Sequence, residues 1–571
     1  HLWHAKRAQM RTTDALWGNV PSPPYALAYT FSMKGFRSFY RTVRKRAVLY
    51  DASYTHIIAL SASHTTLLAL CELLLRSDTP VNNVFHVNGS RAGYACAYDF
   101  RTQLLANSIE VQSLYPRGAI GPVIYLWAPL NSTQDTTERQ LWFLTHPTIS
   151  NFLVARLHHF VALRAPEVQV RLLEDVFICY EVLGPTSGDV LIRAFSLHDT
   201  NKRNSSASMP ETEREVVLSA LGTRPSTVAS GTVLAVSLTD PRLTRLGLSS
   251  FPLRSYVATS FLSSELKTIP TPPCSPLWDP RNFVQFQPTL TTHAINQLKA
   301  KGDVATLAAY TQEPAMIPVL FIRHPVTEGW IILGPRSWGL ALWMALVMCG
   351  GGVRVIGLQF RDTLTWMRDG RCVFPSHFPD TLAYTNYSAV QSHQLLADYS
   401  RRPPAKRINF DLLGFPDPFR LPFALLFGSS VDVWVWRSPL LQKLDGQSVC
   451  ALTRLFTQDS MSSDPEYRHD IELLQLDGAL VAVWVTPRRG RIAWGARLYK
   501  CSSENQHGAT KDVLLGFVVE GAFHFDRGTM VGLAFCSVAA LRQYNRDVAI
   551  VQNLDTPHTH QVYLTLCARP Y

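Results

Sequence analysis

Apolar and charged positions change rhythm several times along the 571 residues. At ~100° per residue, Lys34, Arg37, Arg41, Arg44 and Lys45 fall on one face of a helix, and Phe36, Phe39, Tyr40, Val43 and Ala47 fall opposite. Ahead of them Trp3, Arg7 and Met10 share one helical face, and His4, Arg7 and Arg11 another; Pro21 to Pro24 separate the two basic segments. After Asp51 the pattern predicts a strand at 56–62 and an amphipathic helix at 65–77, ended near Asp78–Pro80. Short strand-like runs follow at 84–89, 93–100, 120–130 and 139–147, then a helix at 149–165 and strands within 171–185. This alternation predicts an α+β domain on a mixed or antiparallel sheet.

Farther on, 200–215 is polar and Ser-rich, a loop or an insertion. The stretch 268–280 (TIPTPPCSPLWDP) is dense in proline and reads as an extended linker at an internal boundary. In 329–360, Ser337 can cap a helix from Trp338 to Cys349, Gly350 can end it in the left-handed conformation, and a strand follows at 353–358. The order helix, glycines, strand is the reverse of a dinucleotide or P-loop site, which argues against a nucleotide cofactor. Beyond Pro422, alternating runs from 431 to 570 predict a closed or nearly closed β domain. The expected organisation is a basic helical arm (1–50), an α+β core (51–267), a linker and connecting segment (268–329), a further segment (330–420) and a β-rich domain (421–571).

Charge adds to this picture. The first fifty residues hold nine Lys/Arg against one acid, Asp14, while the whole chain carries a net charge of +11. Most of the excess therefore sits in the arm, where aromatics interleave with Arg and Lys, as single-stranded or irregular RNA requires. A solvated basic helix packed on its own core is the alternative. Arg401, Arg402, Lys406 and Arg407 flank Pro403–Pro404, which would keep these charges extended and against helix formation. That suits RNA phosphates, an acidic partner groove or a solvated loop.

A chain that is 47% hydrophobic and 17% charged, with 13 Trp, is folded and has much surface to bury. Ten scattered Cys with no C-x-x-C argue against a zinc site or a disulfide framework. The longest apolar run, Leu340 to Cys349, is too short to span a membrane, so no membrane association is expected.

The sequence contains no G-x-S-x-G, H-E-x-x-H or D-x-D pattern of the kind a hydrolase nucleophile or metal site needs. His158 and His159 point to different faces of a helix, His558 and His560 lack a nearby third ligand, and Asp240–Pro241 reads as a turn. No catalytic residue, metal or cofactor is expected.

Several strings carry a family resemblance. HLWHAKRAQM, Trp17–Gly18, K-x-x-R-x-x-Y-R (Lys34 to Arg41) and D-x-S-Y (Asp51 to Tyr54) resemble the opening of the largest protein subunit of eukaryotic ribonuclease P and ribonuclease MRP, with Ala8 where that family usually has Phe. Its landmarks recur in L-W-x-x-x-H-P (Leu141 to Pro147), Glu181, Gly184–Pro185 and Asp240-Pro241-Arg242. The block 329–360 with H-F-P-D (His377 to Asp380) and R-R-P-P-A-K-R-I-N-F (Arg401 to Phe410) resembles its POPLD segment. L-G-F-V-x-x-G-x-F from Leu515, with Gly532-x-Ala534-Phe535, resembles its C-terminal part and also the barrel of folate-dependent aminomethyltransferases. The chain begins inside the first motif, so an upstream segment is expected.

The resemblance implies an aminomethyltransferase-like core, a POPLD segment and a C-terminal β-barrel-like domain behind the basic arm. It also implies a nuclear, nucleolar scaffold with no catalysis of its own. Its partners would be ribonuclease P or MRP RNA and the particle's other proteins, with precursor tRNA or rRNA met indirectly. The RNA-binding candidates are Trp3, His4, Lys6, Arg7, Arg11, Lys34, Arg37, Tyr40, Arg41, Arg44 and Lys45, then Arg401, Arg402, Lys406 and Arg407. The rivals are a folate-dependent methyl-transfer enzyme and a purely protein-binding scaffold.

Overall fold

The computed structural model describes residues 7–18, 24–31, 36–76, 92–105, 108–128, 138–195, 211–242, 275–279, 286–302, 316–350, 352–415, 417–428, 431–438, 441, 443–457, 477–501 and 513–567. The strand expected at 84–89 lies outside them, as do most of 200–215 and most of the proline-dense stretch. The chain enters through an antiparallel hairpin, β1 (Ala8–Thr12) and β2 (Ala26–Phe31), with a short helix α1 (Thr13–Trp17) between them, and continues into α2 (Phe36–Lys45). The helix expected around Arg7, Met10 and Arg11 is thus a strand over its described part. The aromatic and β-branched run Ala26 to Phe31 supplies a pairing partner, and cross-strand hydrogen bonding overrides the local helical periodicity.

Two six-stranded sheets form the centre. The first runs β11 (Gln169–Leu173), β4 (His56–Ser63), β10 (Glu138–Thr145), β9 (Ala119–Trp127), β6 (Ala92–Tyr98), β5 (Leu75–Arg76), antiparallel throughout. The second runs β13 (Val233–Thr239), β14 (Met316–Arg323), β15 (Gly329–Pro335), β12 (Phe177–Leu183), β3 (Val48–Asp51), β16 (Arg354–Val355), with only the β3/β16 pair parallel. A small ribbon pairs β7 (Phe100–Leu105) with β8 (Ser108–Ser113).

Side chains alternate strictly along these strands. On β4 and β10, Ile58, Leu60, Leu141 and Phe143 pack outward on helices α3 (His64–Leu74) and α4 (Pro147–Arg164). Ile57, Ala59, Trp142 and Leu144 turn inward, toward Phe177, Cys179, Leu320 and Ile331 of the second sheet. The second sheet's outer face, through Ile178, Tyr180, Val319 and Phe321, is covered by α5 (Ser187–Ala194), α6 (Glu211–Gly222) and α7 (Gly339–Met348). The result is a helix/sheet/sheet/helix sandwich. Both faces of each sheet are buried, so the strands read in sequence as unbroken apolar runs.

The C-terminal part closes into a six-stranded barrel: β18 (Ala479–Pro487), β21 (Thr529–Ser537), β20 (Leu514–His524), β19 (Arg497–Lys500), β22 (Val548–Gln552) and β23 (Thr559–Leu566), which pairs back onto β18. A two-residue strand, β17 (Trp434–Val435), adds outside in parallel to β18. Val481, Val483, Leu498, Val518 and Leu564 fill the barrel. The alternate positions Leu480, Phe517, Leu533 and Phe535 face outward onto Trp366, Phe378 and Phe423.

Several expectations need correction. Ser337 does not cap α7; its hydroxyl donates to the Phe286 carbonyl (2.8 Å), and residues 336–338 form a 3-10 turn ahead of the helix. Gly350 does adopt positive φ, +72°. Within the expected linker, Trp278 is buried with its ring 4.3 Å from that of Trp142. The strand β14, expected among connecting residues, pairs on both sides inside the second sheet. Residues 211–215 begin α6 rather than extend a loop. The second sheet takes strands from four of the five expected segments, so its edges do not follow the boundaries near 50, 267 and 329.

Two further helices, α8 (Leu358–Met367) and α9 (Leu382–Ser400), close the side of the sandwich. Glu181, on the inward face of β12, receives Arg361 of α8 in a two-pronged contact, Nη2 to Oε1 at 2.9 Å and Nε to Oε2 at 3.2 Å. Burial pushes the Glu181 carboxyl up, but Arg361 and His324 outweigh it and hold it below the usual carboxylate range. Next to it, burial pushes Asp362 up to about 7, only partly offset by Arg361. No helix among the described residues is long and apolar enough to cross a membrane.

Two outcomes follow from this buried cluster. Arg361→Met alone strands the Glu181 charge and should cost about 3–5 kcal/mol, whereas Arg361→Met with Glu181→Leu should recover most of it, read as the melting shift of each variant. Asp362 binds its proton more tightly folded than unfolded, so it favours the fold at low pH and loses that contribution as pH rises from about 4 to about 7. Asp362→Asn should therefore flatten the decline in urea midpoint between pH 4.5 and 7.5; an identical decline in the variant would reject this assignment.

Candidate nucleic-acid interface

Helix α2 divides as its sequence requires. Phe39, Tyr40 and Val43 are buried, and Arg37, Arg41, Arg44 and Lys45 are exposed, as is Arg46 just past the helix end. The buried face is held from three directions. Phe39 meets Phe360 of α8 at 5.2 Å, Tyr40 meets Phe525 beyond β20 at 5.3 Å, and Gly184 lies under the helix end. A Cβ on Gly184, whose φ is +122°, would stand 2.2 Å from the Arg46 carbonyl oxygen, so only glycine permits this approach.

Tyr40 sits at the border of the two faces, and its ring turns inward. Its hydroxyl donates to Asp526 Oδ2 (2.6 Å) while Arg44 Nη1 reaches Oδ1 (2.8 Å). Burial and this carboxylate raise the Tyr40 pKa well above its ordinary value. Tyr40 is therefore a docking residue rather than the RNA contact expected from the sequence: its ring is buried against the fold. Arg44 remains 70% exposed despite its partner, so it keeps donors for solvent or ligand. Asp526 was missed because 482 residues separate it from Arg44 and nothing local marks it.

Of the earlier candidates, Trp3, His4, Lys6 and Lys34 lie outside the described residues. Arg7 is exposed at the start of the hairpin. Arg11 is half-buried, its guanidinium 4.0 Å above the Tyr29 ring on the paired strand, which makes it a packing cation as much as a surface one.

The second basic cluster is built differently from expectation. Arg401 ends α9 as its C-cap, and Pro404 to Lys406 make a single 3-10 turn, so the charges are not held extended. Pro403 pre-sets the backbone for that turn, and Arg407 folds back to donate to the Arg402 carbonyl (2.9 Å) and the Ser400 carbonyl (2.6 Å). Arg401 pairs with Asp398 at 3.2 Å on the surface. Arg402 and Lys406 are exposed, with no side-chain partner among the described residues. Arg407 positions the loop, and Arg402 and Lys406 present charge.

The interior holds a cavity of about 140 Å3 between the two sheets, bordered by Glu181, Arg361, Asp362, His146 and His324. Its imidazoles are committed. His146 Nδ1 accepts the Thr148 N–H that opens α4, and His324 Nδ1 accepts the N–H groups of Val326 and Thr327 (3.2 Å each). Burial lowers both to about 3, so neither ring gains a proton near neutral pH. Asp240 is buried and bound by Arg242 through both carboxylate oxygens, as a paired turn. Among the described residues no group of three His, Cys, Asp or Glu could hold a metal ion.

Comparison with known proteins gives three family matches. Residues 1–63 match the N-terminal region of the ribonucleases P/MRP protein subunit POP1, 329–423 match the POPLD (NUC188) domain, and 496–568 match the POP1 C-terminal domain. Curated relatives include ribonucleases P/MRP protein subunit POP1 of Homo sapiens, 24% identical over 75% of this chain and 50% of that protein. The same subunit of Arabidopsis thaliana is 24% identical over 74% of this chain and 54% of its own length. That of Schizosaccharomyces pombe is 22% identical over 97% of this chain and 72% of its own. The chain thus spans about half the length of the first two. Among solved structures, glycine cleavage system aminomethyltransferase T from Bartonella henselae aligns over 100% of this chain and 97% of its own, at 13% identity and a TM-score of 0.46.

The Asp526 contacts predict unequal costs. Tyr40→Phe removes a buried-side hydrogen bond to a charged group and should lower the opening free energy of α2 by about 1.5–3 kcal/mol. Arg44→Ala removes an exposed pair and should cost less than about 1 kcal/mol. Hydrogen exchange of the α2 amides reads both; a larger loss in Arg44→Ala would reverse the assignment of the anchor.

Proposed function

Because this chain belongs to the POP1 subunit family of ribonucleases P and MRP, we propose that it is a non-catalytic scaffold that grips and shapes the RNA of such a particle. The RNA then cleaves precursor tRNA leaders or precursor rRNA, and the protein's partners are that RNA and the particle's other proteins, in the nucleus and nucleolus. The observation that carries the reading is α2: four exposed cations, Arg37, Arg41, Arg44 and Lys45, on a helix whose other face is locked into the fold. A rigid row of guanidinium groups suits phosphate oxygens, which they meet without first being ordered. Arg7 and Arg11 are further candidate contacts, as are Trp3, His4, Lys6 and Lys34, which lie outside the described residues; indole and imidazole rings suit unpaired bases. Arg402 and Lys406 form a second contact, with Arg401 and Arg407 shaping its loop.

On this reading the aminomethyltransferase-like character of the core is architectural. The low basicity of the buried His146 and His324 and the ion-paired state of Glu181 support that.

With about six phosphates contacted, log affinity should fall against log salt with a slope near −4 to −5. Charge reversal at Arg37 and Arg41 should weaken binding of the particle RNA at least tenfold in a filter assay, with melting unchanged. Wild-type affinity in that variant, together with no ultraviolet crosslink from the arm to RNA in the native particle, would leave a protein-binding scaffold as the reading.

A further inference from the structure

Beside the end of α2 the fold opens a notch of about 360 Å3 that no single stretch of sequence announces. One wall is the last turn of α2, with Arg44 and Lys45. The others are the cap and first turn of α5, with Thr186 and Asp189, and the residues leaving α6, with Thr223 and Arg224. The walls are fixed against one another. Gly184 sits under α2 as described, and a Cβ on Gly188 of α5 would stand 1.9 Å from the Leu221 carbonyl oxygen of α6. The shape of the notch is therefore a property of the packed fold.

Arg44 and Lys45 have an ordinary explanation, since cations in a last helical turn suit the helix dipole. Arg224 has none of that kind. It arrives from a different element, is exposed, and its side chain has no partner among the described residues; the same is true of Lys45. Two uncommitted cations from separate elements converge on a concavity large enough for a sugar and its phosphate. On the side away from the two cations, Asp189 offers acceptor oxygens, to which a sugar hydroxyl can donate while its phosphate lies on Lys45 and Arg224. Thr223 already donates its hydroxyl proton to the Ala220 carbonyl (3.1 Å) and so offers only lone pairs, again suited to a hydroxyl donor.

We infer that this notch takes one ribose-phosphate of the bound RNA backbone, its phosphate on Lys45 and Arg224 and its 2′-hydroxyl toward Asp189 and Thr223. The inference rests on the RNA-binding reading above and deepens it: the strand that runs along α2 continues past the helix end onto the second sheet's helical layer. A 2′-hydroxyl contact is also what separates RNA from DNA at a single site.

The test uses the full chain and transcribed ribonuclease P RNA of the source organism, with DNA of the same sequence as competitor. Arg224→Glu should weaken RNA binding about tenfold and make the salt slope shallower by about one, with unchanged melting; Arg224→Gln, a milder change, should weaken it about threefold. Asp189→Ala should narrow the preference for RNA over DNA. If Arg224→Glu binds within twofold of wild type while the Arg37/Arg41 reversal is impaired, the notch is not a backbone site and the helix reading stands. If both bind like wild type, the RNA-binding reading fails as well. Intact RNA binding by Arg224→Glu with loss of a protein subunit from the particle would make the notch a protein contact, and an unchanged RNA-over-DNA preference in Asp189→Ala would reject the sugar orientation.

Discussion

A carboxylate between two sheets sets the terms for the rest of the molecule. Glu181 points into an apolar layer, where a charge persists only with a well-placed counter-ion, and the counter-ion comes from α8, 180 residues later. With Arg361 fixed, α8 becomes a keystone for three other parts. Gly357 at its start lies so close to the hairpin that a Cβ there would be 2.3 Å from the Tyr29 carbonyl oxygen. Phe360 supports Phe39 of the basic helix, and Trp366 stacks on Trp484 of the barrel at 6.1 Å. One ion pair thus links the inner layer, the amino-terminal arm and the carboxy-terminal barrel.

How much of this could be read from residues alone depended on the range of the interaction. The split of α2 into cationic and apolar faces is a local periodicity, and it is present as expected. The barrel was visible in regular alternation after residue 431, and its closure by β23 onto β18 is the simplest way to satisfy both edges. Arg7 to Thr12 misled because a helical stripe and a strand can share one short pattern, and only the distant run Ala26 to Phe31 decides between them. Tyr40 misled because its position on the helix is marginal and its fate is set by Asp526. Arg224 could not have been found at all: its meaning comes from standing beside Lys45, and no spacing records that.

The arm is more than a charged tail. A disordered basic segment must be ordered when it meets RNA, which subtracts from affinity, whereas α2 is already ordered by Phe360, Phe525 and Gly184. Its cations also differ in freedom. Arg37 and Arg41 are exposed, Arg44 is tethered to a carboxylate yet mostly open, and Arg407 in the second cluster is spent on main-chain carbonyls. Sequence counts every Arg alike, and the fold grades them.

The parallel pairing of β3 with β16 has a consequence for biosynthesis. Residues 48–51 emerge from the ribosome long before residues 354–355 exist to cover their second edge. At roughly 5–20 residues per second, that edge waits on the order of 15–60 s. During this interval a strand of Val48, Leu49 and Tyr50 offers open main-chain donors and acceptors to any passing polypeptide. A nascent-chain chaperone, or early contact with an assembly partner, would be most useful to this protein in that window.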